Sequence, residues 1–576
     1  MMKINLTINI CKNKFRDFIV LLISLFLIQT IFHILCFHEF ELFGFNLFTY
    51  KVHLIQLIIS TFFASIIFIK KGQVLAQILI IITTIFFYIN LLYFRAFGEF
   101  IPLSNYLLVN NLQGFESSVT TLTSYIDLLF CLPIILYYFG LNISIDRNNS
   151  ITLKINITTS LILSLYLTSP FILYSKDILV DHYRDFISVY NYGLISKTTV
   201  NIYKEVINNK NITFNERKII KDYLEEKKNK NTKYNNINNK NIIISLVESL
   251  ESWVIQKSLN NKEITPFINK ILKNDPAIVY LPKVLTQVNG GRSSDAQLII
   301  NTGILPIKSG ATCYKYTYNY FPNLGSELKN KNQYKKTITM MGYSSNAWNQ
   351  KEFNNSLGFD SLIHIKNYKN DFMICDGIND KSFLQQSIEK LKEIPQPYYA
   401  QIITLSSHTP FKIPQSLKSF NTNEYNPTFL DYINSIHYVD NAIGSFIEQL
   451  KKENIYNNSI IIITGDHNTG TPTKLSTWQD MYTDICGVKS YIPFIILNSG
   501  KSLLFNHEVD QIDLYSSIID ILNIRSNWKG LGESILSESY NTEIQERKAS
   551  FNDESNIWNV SDLIITKNYF KNIKSK

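Results

Sequence analysis

The sequence predicts an α/β domain, with a mostly parallel central sheet covered by helices on both faces, carried behind a membrane domain of five transmembrane helices. Three observations carry this reading. Five apolar segments follow one another near residues 17–37, 52–69, 74–94, 119–140 and 151–174, each close to the ~20 residues a spanning helix needs. From Asn241 onward, short apolar strands alternate with amphipathic helices, the pattern of a parallel sheet. Two of those strands, NIIISLVES from Asn241 and SIIIIT from Ser459, run straight into side chains able to ligate a metal.

The membrane domain is expected over residues 1–175. Five such segments in succession are hard to bury in a soluble fold, and the first is too long, and followed by too many others, for a cleaved signal peptide. Lys3, Lys12, Lys14 and Arg16 precede the first span, Lys70 and Lys71 join the second to the third, and Arg147 and Lys154 lie where the fourth meets the fifth. The loop 99–118 carries no Lys or Arg. The N-terminus is therefore read as cytoplasmic, and an odd number of spans places everything after about residue 175 outside. Tyr174, Tyr183 and Trp253 are candidates for the lipid interface. Asp127 is the lone charged candidate at mid-membrane, too little for a transport pathway.

Residues 176–240 read as juxtamembrane helices followed by an exposed Asn/Lys-rich linker, KKNKNTKYNNINNK at 227–240. The extracytoplasmic domain, 241–576, has candidate strands at 242–246, 336–341, 400–405, 459–464 and 493–497. A helix is expected at about 429–452, where Ile433, Ile436, Val439, Ile443, Phe446, Ile447 and Leu450 recur at helical spacing.

Lys and Arg (56) exceed Asp and Glu (47) only mildly, and the excess is spread over Lys/Asn-rich stretches without clustered arginines and aromatics. That is a solvated surface, and no nucleic-acid partner is expected. Of six cysteines, Cys11, Cys36 and Cys131 fall in or beside apolar segments; Cys313, Cys375 and Cys486 allow one disulfide but no disulfide framework.

In an open α/β sheet, ligands bind at the carboxyl ends of the strands, which is where Glu248 and the Asp466-His467 pair fall. Between them lies Gly290-Gly291-Arg292-Ser293-Ser294-Asp295-Ala296-Gln297, followed by a helical run, Leu298 to Thr302. Glycines permit close backbone approach, the Ser/Ser/Asp group suits a helix start, and free N–H groups there favour an anion. A hydroxyl at such a point can attack phosphorus once a cation lowers its pKa. Singly, each feature has a plain reading: a capped turn, a surface carboxylate, an Asp-His turn. Jointly they describe a site with two carboxylates, an imidazole and a serine oxygen, a hard donor set suited to Mn²⁺ or Mg²⁺, with Zn²⁺ as a further choice. The residues do not rank Ser293 above Ser294. Asp295 reads as a cap, His408 in Ser-Ser-His-Thr-Pro as a site residue after a strand, His437 as structural, and Arg292 and Lys315 as phosphate contacts.

From about Asn241 to Ser534 the chain resembles the extracellular domain of the lipoteichoic acid synthases, membrane-anchored members of the alkaline phosphatase/sulfatase superfamily. The matching stretches are NIIISLVES, GGRSSDAQ, WNQKEFNNSLGFD from Trp348, DGINDKSF from Asp376, LSSHTPF from Leu405, YINSIHYVDNAIGSFIEQL from Tyr432 and IIIITGDHNTG from Ile460, and five spans precede them. The resemblance implies that Glu248, Asp466 and His467 ligate a metal, Mn²⁺ first. It places Ser293 where the family has a nucleophilic threonine that also touches the metal, His408 against the phosphoryl group or leaving oxygen, and Trp348 at the substrate pocket. One departure bears on substrate: Gln350 stands where an arginine normally grips glycerol phosphate, and an amide cannot clamp phosphate bidentately. The activity implied is transfer of a phosphorylated head group from a phospholipid donor to an extracytoplasmic glycan or glycolipid, in a multi-pass protein of the cell membrane. The alternatives are a phosphoethanolamine transferase, whose outer domain usually carries several disulfides, and a sulfatase-like phosphoester hydrolase. A true sulfatase needs a C/S-x-P-x-R stretch that residues 285–300 lack. A non-catalytic glycan-binding module would not need Glu248, Asp466 and His467.

Overall fold

The computed structural model describes residues 5–37, 50–97, 100–101, 122–141, 150–156, 185–207, 212–228, 240–469 and 490–574, apart from residues 276, 309, 423, 539 and 541–555. The chain forms two units that divide after Asn208.

In the first unit, α1 (Lys12–Phe37), α2 (Tyr50–Ala64, extended by a 3₁₀ turn, Ser65–Phe68) and α3 (Gly72–Phe97) match the first three predicted spans. Over Lys14–Phe37, Lys51–Phe68 and Gly72–Arg95 they are long and apolar enough to cross a membrane. The fourth segment forms a 3₁₀ turn, Tyr125–Phe130, and α4 (Cys131–Leu141), an apolar stretch shorter than the other three. The fifth predicted span differs at its start, and its remainder, 157–174, lies outside the described residues. Ser150–Asn156 is a strand, β2, pairing antiparallel with β1 (Asn5–Cys11) from Asn5↔Asn156 to Cys11↔Ser150. Both heptapeptides, NLTINIC and SITLKIN, alternate apolar with polar residues, a period of two that suits a ribbon and not a helix. Asp127 is not alone: Arg95 grips it with Nη1 and Nη2, each 2.7 Å from a carboxylate oxygen, so the buried charge is paired. Helices α5 (Asp185–Tyr192) and α6 (Leu194–Ile207) complete this unit.

In the second unit, helix α7 (Phe214–Lys228) was expected near the membrane surface. It packs on α14 (Ile557–Thr566), burying Ile220 in the core and bonding Tyr223 Oη to Leu531 O. The sheet is built from β3 (Asn241–Val247), β4 (Val279–Leu285), β5 (Lys336–Met341), β6 (Ser361–Ile363), β7 (Tyr398–Ile403), β8 (Ser459–Gly465), β9 (Tyr491–Leu497) and two-residue strands β10 (Leu503–Leu504) and β11 (Val509–Asp510). Its order is β10-β4-β9-β8-β3-β7-β5-β6, with β11 also on β4. Strands β8, β3, β7, β5 and β6 run parallel, while β9 is antiparallel to both neighbours. Strand β3 shows why helices cover both faces: Ile242, Ile244 and Leu246 enter one apolar core, Ile243 and Val247 the other. The first core is closed by α9 (Arg292–Thr302) and α13 (Asp513–Ile521), the second by α8 (Pro266–Asn274), α11 (Asp380–Lys392) and α12 (Pro427–Lys452).

Candidate metal centre

Strands β3 and β8 lie side by side in register, Gly465 opposite Val247, so their carboxyl ends deliver Glu248 and Asp466-His467 to one place. One potential ligand atom from each of the three side chains lies within 4.8 Å of the others, and all three are buried. Backbone and side chains fix them in turn. After Glu248 the chain reverses at Ser249, in the left-handed region at φ 53°. Ser249 N donates to Asp466 Oδ1 at 2.8 Å, and its Oγ donates to Glu248 Oε1 at 2.8 Å. Glu248 N donates to Thr404 Oγ1 (3.0 Å), and its carbonyl accepts from Ser407 Oγ (2.6 Å). Gln511 Nε2 holds the Asp466 carbonyl at 2.9 Å.

Helix α9 brings the hydroxyl. Ser293 Oγ lies 3.1 Å from Glu248 Oε2 and 3.2 Å from His467 Nε2. His467 Nδ1 is 2.6 Å from the Asn468 carbonyl, which only accepts, so Nδ1 carries the proton and the Nε2 lone pair faces inward. Ser294 turns away: its Oγ donates to Gly291 O at 2.6 Å and lies 3.2 Å from Cys313 Sγ. Geometry thus separates two serines that the sequence leaves equal. Asp295 does cap, but backwards, its Oδ2 accepting the N–H groups of Asn289 and Gly291 at 2.9 Å each. Arg292, at φ 41°, sits half-buried beside Ser293 with Nη1 3.4 Å from Asn468 Oδ1.

His408 arrives on the loop after β7. Strand pairing ends there because the N–H groups of Leu405 and Ser406 go to the Asp380 carboxylate, at 2.9 Å each. This is why the predicted strand 400–405 lies two residues earlier, at 398–403. Burial lowers the His408 pKa, against the Thr409 carbonyl and the Asp466 and Asp376 charges.

The other expected residues divide. Trp348 is half-buried at φ 52°, its ring 6.0 Å from that of Tyr314. Lys315 ends the short helix Thr312–Lys315, which packs on α9. Gln350 is not offered to a ligand: it is 0% exposed and forms a reciprocal amide pair with Gln297, at 2.8 and 3.2 Å. Gln297 also accepts from Gln401, which accepts from Asn301, so the pair belongs to a buried ladder beneath α9. His437 is structural, Nδ1 bonded to Ile264 O. Trp253 is not at a lipid interface; it is buried, stacks on Phe429 and donates Nε1 to Glu251. Tyr174, Tyr183 and Cys486 lie outside the described residues, and Cys313 and Cys375 are free thiols. Sequence reasoning missed Ser249, Thr404, Ser407, Asp380, Gln511 and Glu251. The last accepts Thr469 N at 2.7 Å and ties down the chain after His467.

Burial pushes the Glu248 pKa up to about 8, with the Asp466 charge adding to the rise and His467 opposing it. Two carboxylates crowded out of water resist joint ionisation unless a cation lies between them. Asp466 Oδ2 is buried without a hydrogen-bond partner among the described residues. The set fits a divalent cation, with Glu248, Asp466 and His467 to hold it and Ser293 Oγ beside them.

The sulfatase family profile matches residues 240–524, and the lipoteichoic acid synthase N-terminal domain profile matches residues 1–214. Lipoteichoic acid synthase 1 of Bacillus subtilis (strain 168) is 26% identical over 521 residues, covering 85% of this chain and 80% of its own length. Lipoteichoic acid synthase 2 of the same organism is 29% identical over 325 residues, covering 54% of this chain and 49% of its own. Among solved structures, the lipoteichoic acid synthase LtaP of Listeria monocytogenes matches with a TM-score of 0.48 at 22% identity, covering 55% of this chain and 81% of that one. The chain is a sulfatase-like α/β enzyme of the phosphotransferase class behind apolar N-terminal helices. It belongs to the lipoteichoic acid synthase-like proteins of the alkaline phosphatase/sulfatase superfamily, which generally use a divalent metal.

Proposed function

We propose that this chain transfers a phosphorylated head group, glycerol phosphate first among the choices, from a phospholipid to an extracytoplasmic glycan or glycolipid through a covalent phosphoserine at Ser293. The observation that supports it is Ser293 Oγ between Glu248 Oε2 and His467 Nε2, near Asp466 Oδ2, which has no hydrogen-bond partner among the described residues. A bound divalent cation, Mn²⁺ before Mg²⁺ or Zn²⁺, would neutralise phosphoryl charge and lower the serine pKa.

In the first half-reaction Ser293 Oγ loses its proton and bonds to phosphorus as the bond from phosphorus to the diacylglycerol oxygen breaks. That oxygen takes up a proton, for which His408, on the loop held by Asp380, is the proposed donor. In the second half an acceptor hydroxyl gives up its proton and bonds to phosphorus, and the Oγ–P bond breaks to restore the serine. Arg292 and Trp348 are proposed at the substrate; Gln350 acts through Gln297 as support for α9.

The reading includes five spans over residues 1–175, a juxtamembrane segment and linker over 176–240, and a catalytic domain over 241–576 facing outward from a cell membrane. The test uses the full chain in vesicles of phosphatidylglycerol with Mn²⁺, measuring diacylglycerol release and phosphoserine by mass spectrometry. Wild type and Ser293→Thr are expected to release diacylglycerol; Ser293→Ala is expected to release none. Release by Ser293→Ala at the wild-type rate would falsify the covalent route, and no release by wild type from any phospholipid would remove the transferase reading.

A further inference from the structure

A second group of buried polar side chains lies among the apolar helices of the first unit. Gln29 of α1 donates Nε2 to Ser60 Oγ (2.8 Å) and Gln56 O (3.3 Å) of α2, and Gln56 Oε1 meets His53 Nδ1 at 3.0 Å. These bonds tie α1 to α2, a sufficient reason for the amides and the serine. They do not account for His33. Its ring is 1% exposed and 5.6 Å from the rings of both His53 and Tyr190, yet its Nε2 has no hydrogen-bond partner among the described residues. A buried imidazole nitrogen among polar neighbours, left without a bond, marks a place where a ligand supplies the partner.

Position narrows the ligand. His33 lies four residues before the end of α1 and His53 three after the start of α2, hence about 5–6 Å from the helix ends, the depth of lipid head groups. Helix α5 brings Tyr190 to the same end, and Tyr192 lies under Lys51 Nζ, 4.2 Å from the ring centroid. This end is opposite Lys12, Lys14 and Arg16, so the charge pattern places it at the outer leaflet. The imidazoles of His33 and His53, with the Lys51 ammonium at the lip and no carboxylate among these side chains, suit phosphoryl oxygens in a partly dry setting.

We propose that the His33–His53 cluster binds the phosphoryl head group of a phospholipid at the outer ends of α1 and α2. The site requires only binding and stands apart from the transferase reading. The full chain is placed in phosphatidylcholine vesicles doped with a phosphatidylglycerol whose acyl chain carries a diazirine beside the carbonyl. After irradiation, adducts are mapped by peptide mass spectrometry. Adducts are expected on peptides within α1 and α2, competed by unlabelled phosphatidylglycerol but not by diacylglycerol or inorganic phosphate. His33→Leu and, separately, His53→Leu are expected to lower them about tenfold with thermal unfolding unchanged, and His33→Gln to lower them less. Ser293→Ala is expected to leave them intact, which separates this site from the fate of the transferase reading. Adducts unchanged in both leucine variants would overturn the proposal. Equal competition by diacylglycerol would reduce the site to an apolar crevice, and equal competition by phosphate alone would make it a free-anion site; either result also overturns it.

Discussion

Replacing Ser294 by alanine removes its bonds to Gly291 O and Cys313 Sγ, which hold the start of α9. The expected cost is about 1 kcal/mol of stability, with diacylglycerol release within about threefold of wild type. Ser293→Ala takes away the hydroxyl facing Glu248 and His467, and release is expected to fall at least ~1,000-fold with little change in Tm. Equal losses for both serines would contradict the assignment of roles. At this scale the sequence was informative where a residue carries chemistry itself. Glu248, Asp466 and His467 stand at strand ends and Ser293 follows a Gly-Gly-Arg turn, so that jointly they marked a candidate site. Ser249, Thr404 and Gln511 act on those residues through single hydrogen bonds from distant positions, and no local pattern marks them. Gln350 misled for a related reason: its place in a motif suggested a ligand contact, while its amide pairs with a residue 53 positions away.

Helix α12 presents Asp440 to the first turn of α8, where its carboxylate accepts the N–H groups of Phe267 and Ile268 at 2.7 and 3.0 Å. Burial raises the Asp440 pKa to about 7, Glu263 adding to the rise and the two N–H bonds opposing it. A carboxyl whose folded pKa exceeds its unfolded value of about 3.9 contributes stability that is complete below pH ~4 and is lost as pH rises toward 7. Over pH 4 to 7, Asp440→Asn is therefore expected to lose less Tm than wild type, in a pH series on detergent-solubilised protein; parallel slopes would refute the assignment. Strand β8 makes a second prediction. A Cβ on Gly465 would lie 2.1 Å from Leu250 O, so Gly465→Ala must push β8 away from the turn that carries Glu248. The expected loss is about 3 kcal/mol, and Mn²⁺ affinity should fall with it. Strands buried on both faces, such as β3 and β8, read clearly as apolar runs. Strand β4, VYLPKVL, did not, because a proline and a lysine interrupt its pattern near the edge of the sheet.

For the whole protein, metal and fold are expected to be linked. Glu248 and Asp466 repel each other in a buried site, so Mn²⁺ at 100 times its Kd should stabilise the second unit by about 2.7 kcal/mol. The rise in Tm should vanish in Glu248→Gln; an equal rise there would place the ion elsewhere. The two-unit layout was visible in composition, since apolar segments near 20 residues long and alternating strands and helices are distinct signals. The fifth apolar segment was read by its length and apolar character, which overlooked the two-residue alternation at its start. That short ribbon joining Asn5–Cys11 to Ser150–Asn156 has a topological meaning. Partners in a hydrogen-bonded ladder share one aqueous compartment, so the polypeptide must traverse the bilayer an even number of times between Cys11 and Ser150. With α1, α2 and α3 each crossing, as proposed, parity assigns a fourth traversal to the short stretch Tyr125–Leu141. Impermeant thiol reagents should then reach single cysteines placed at positions 3 and 147 from the same face of a sealed vesicle, or reach neither.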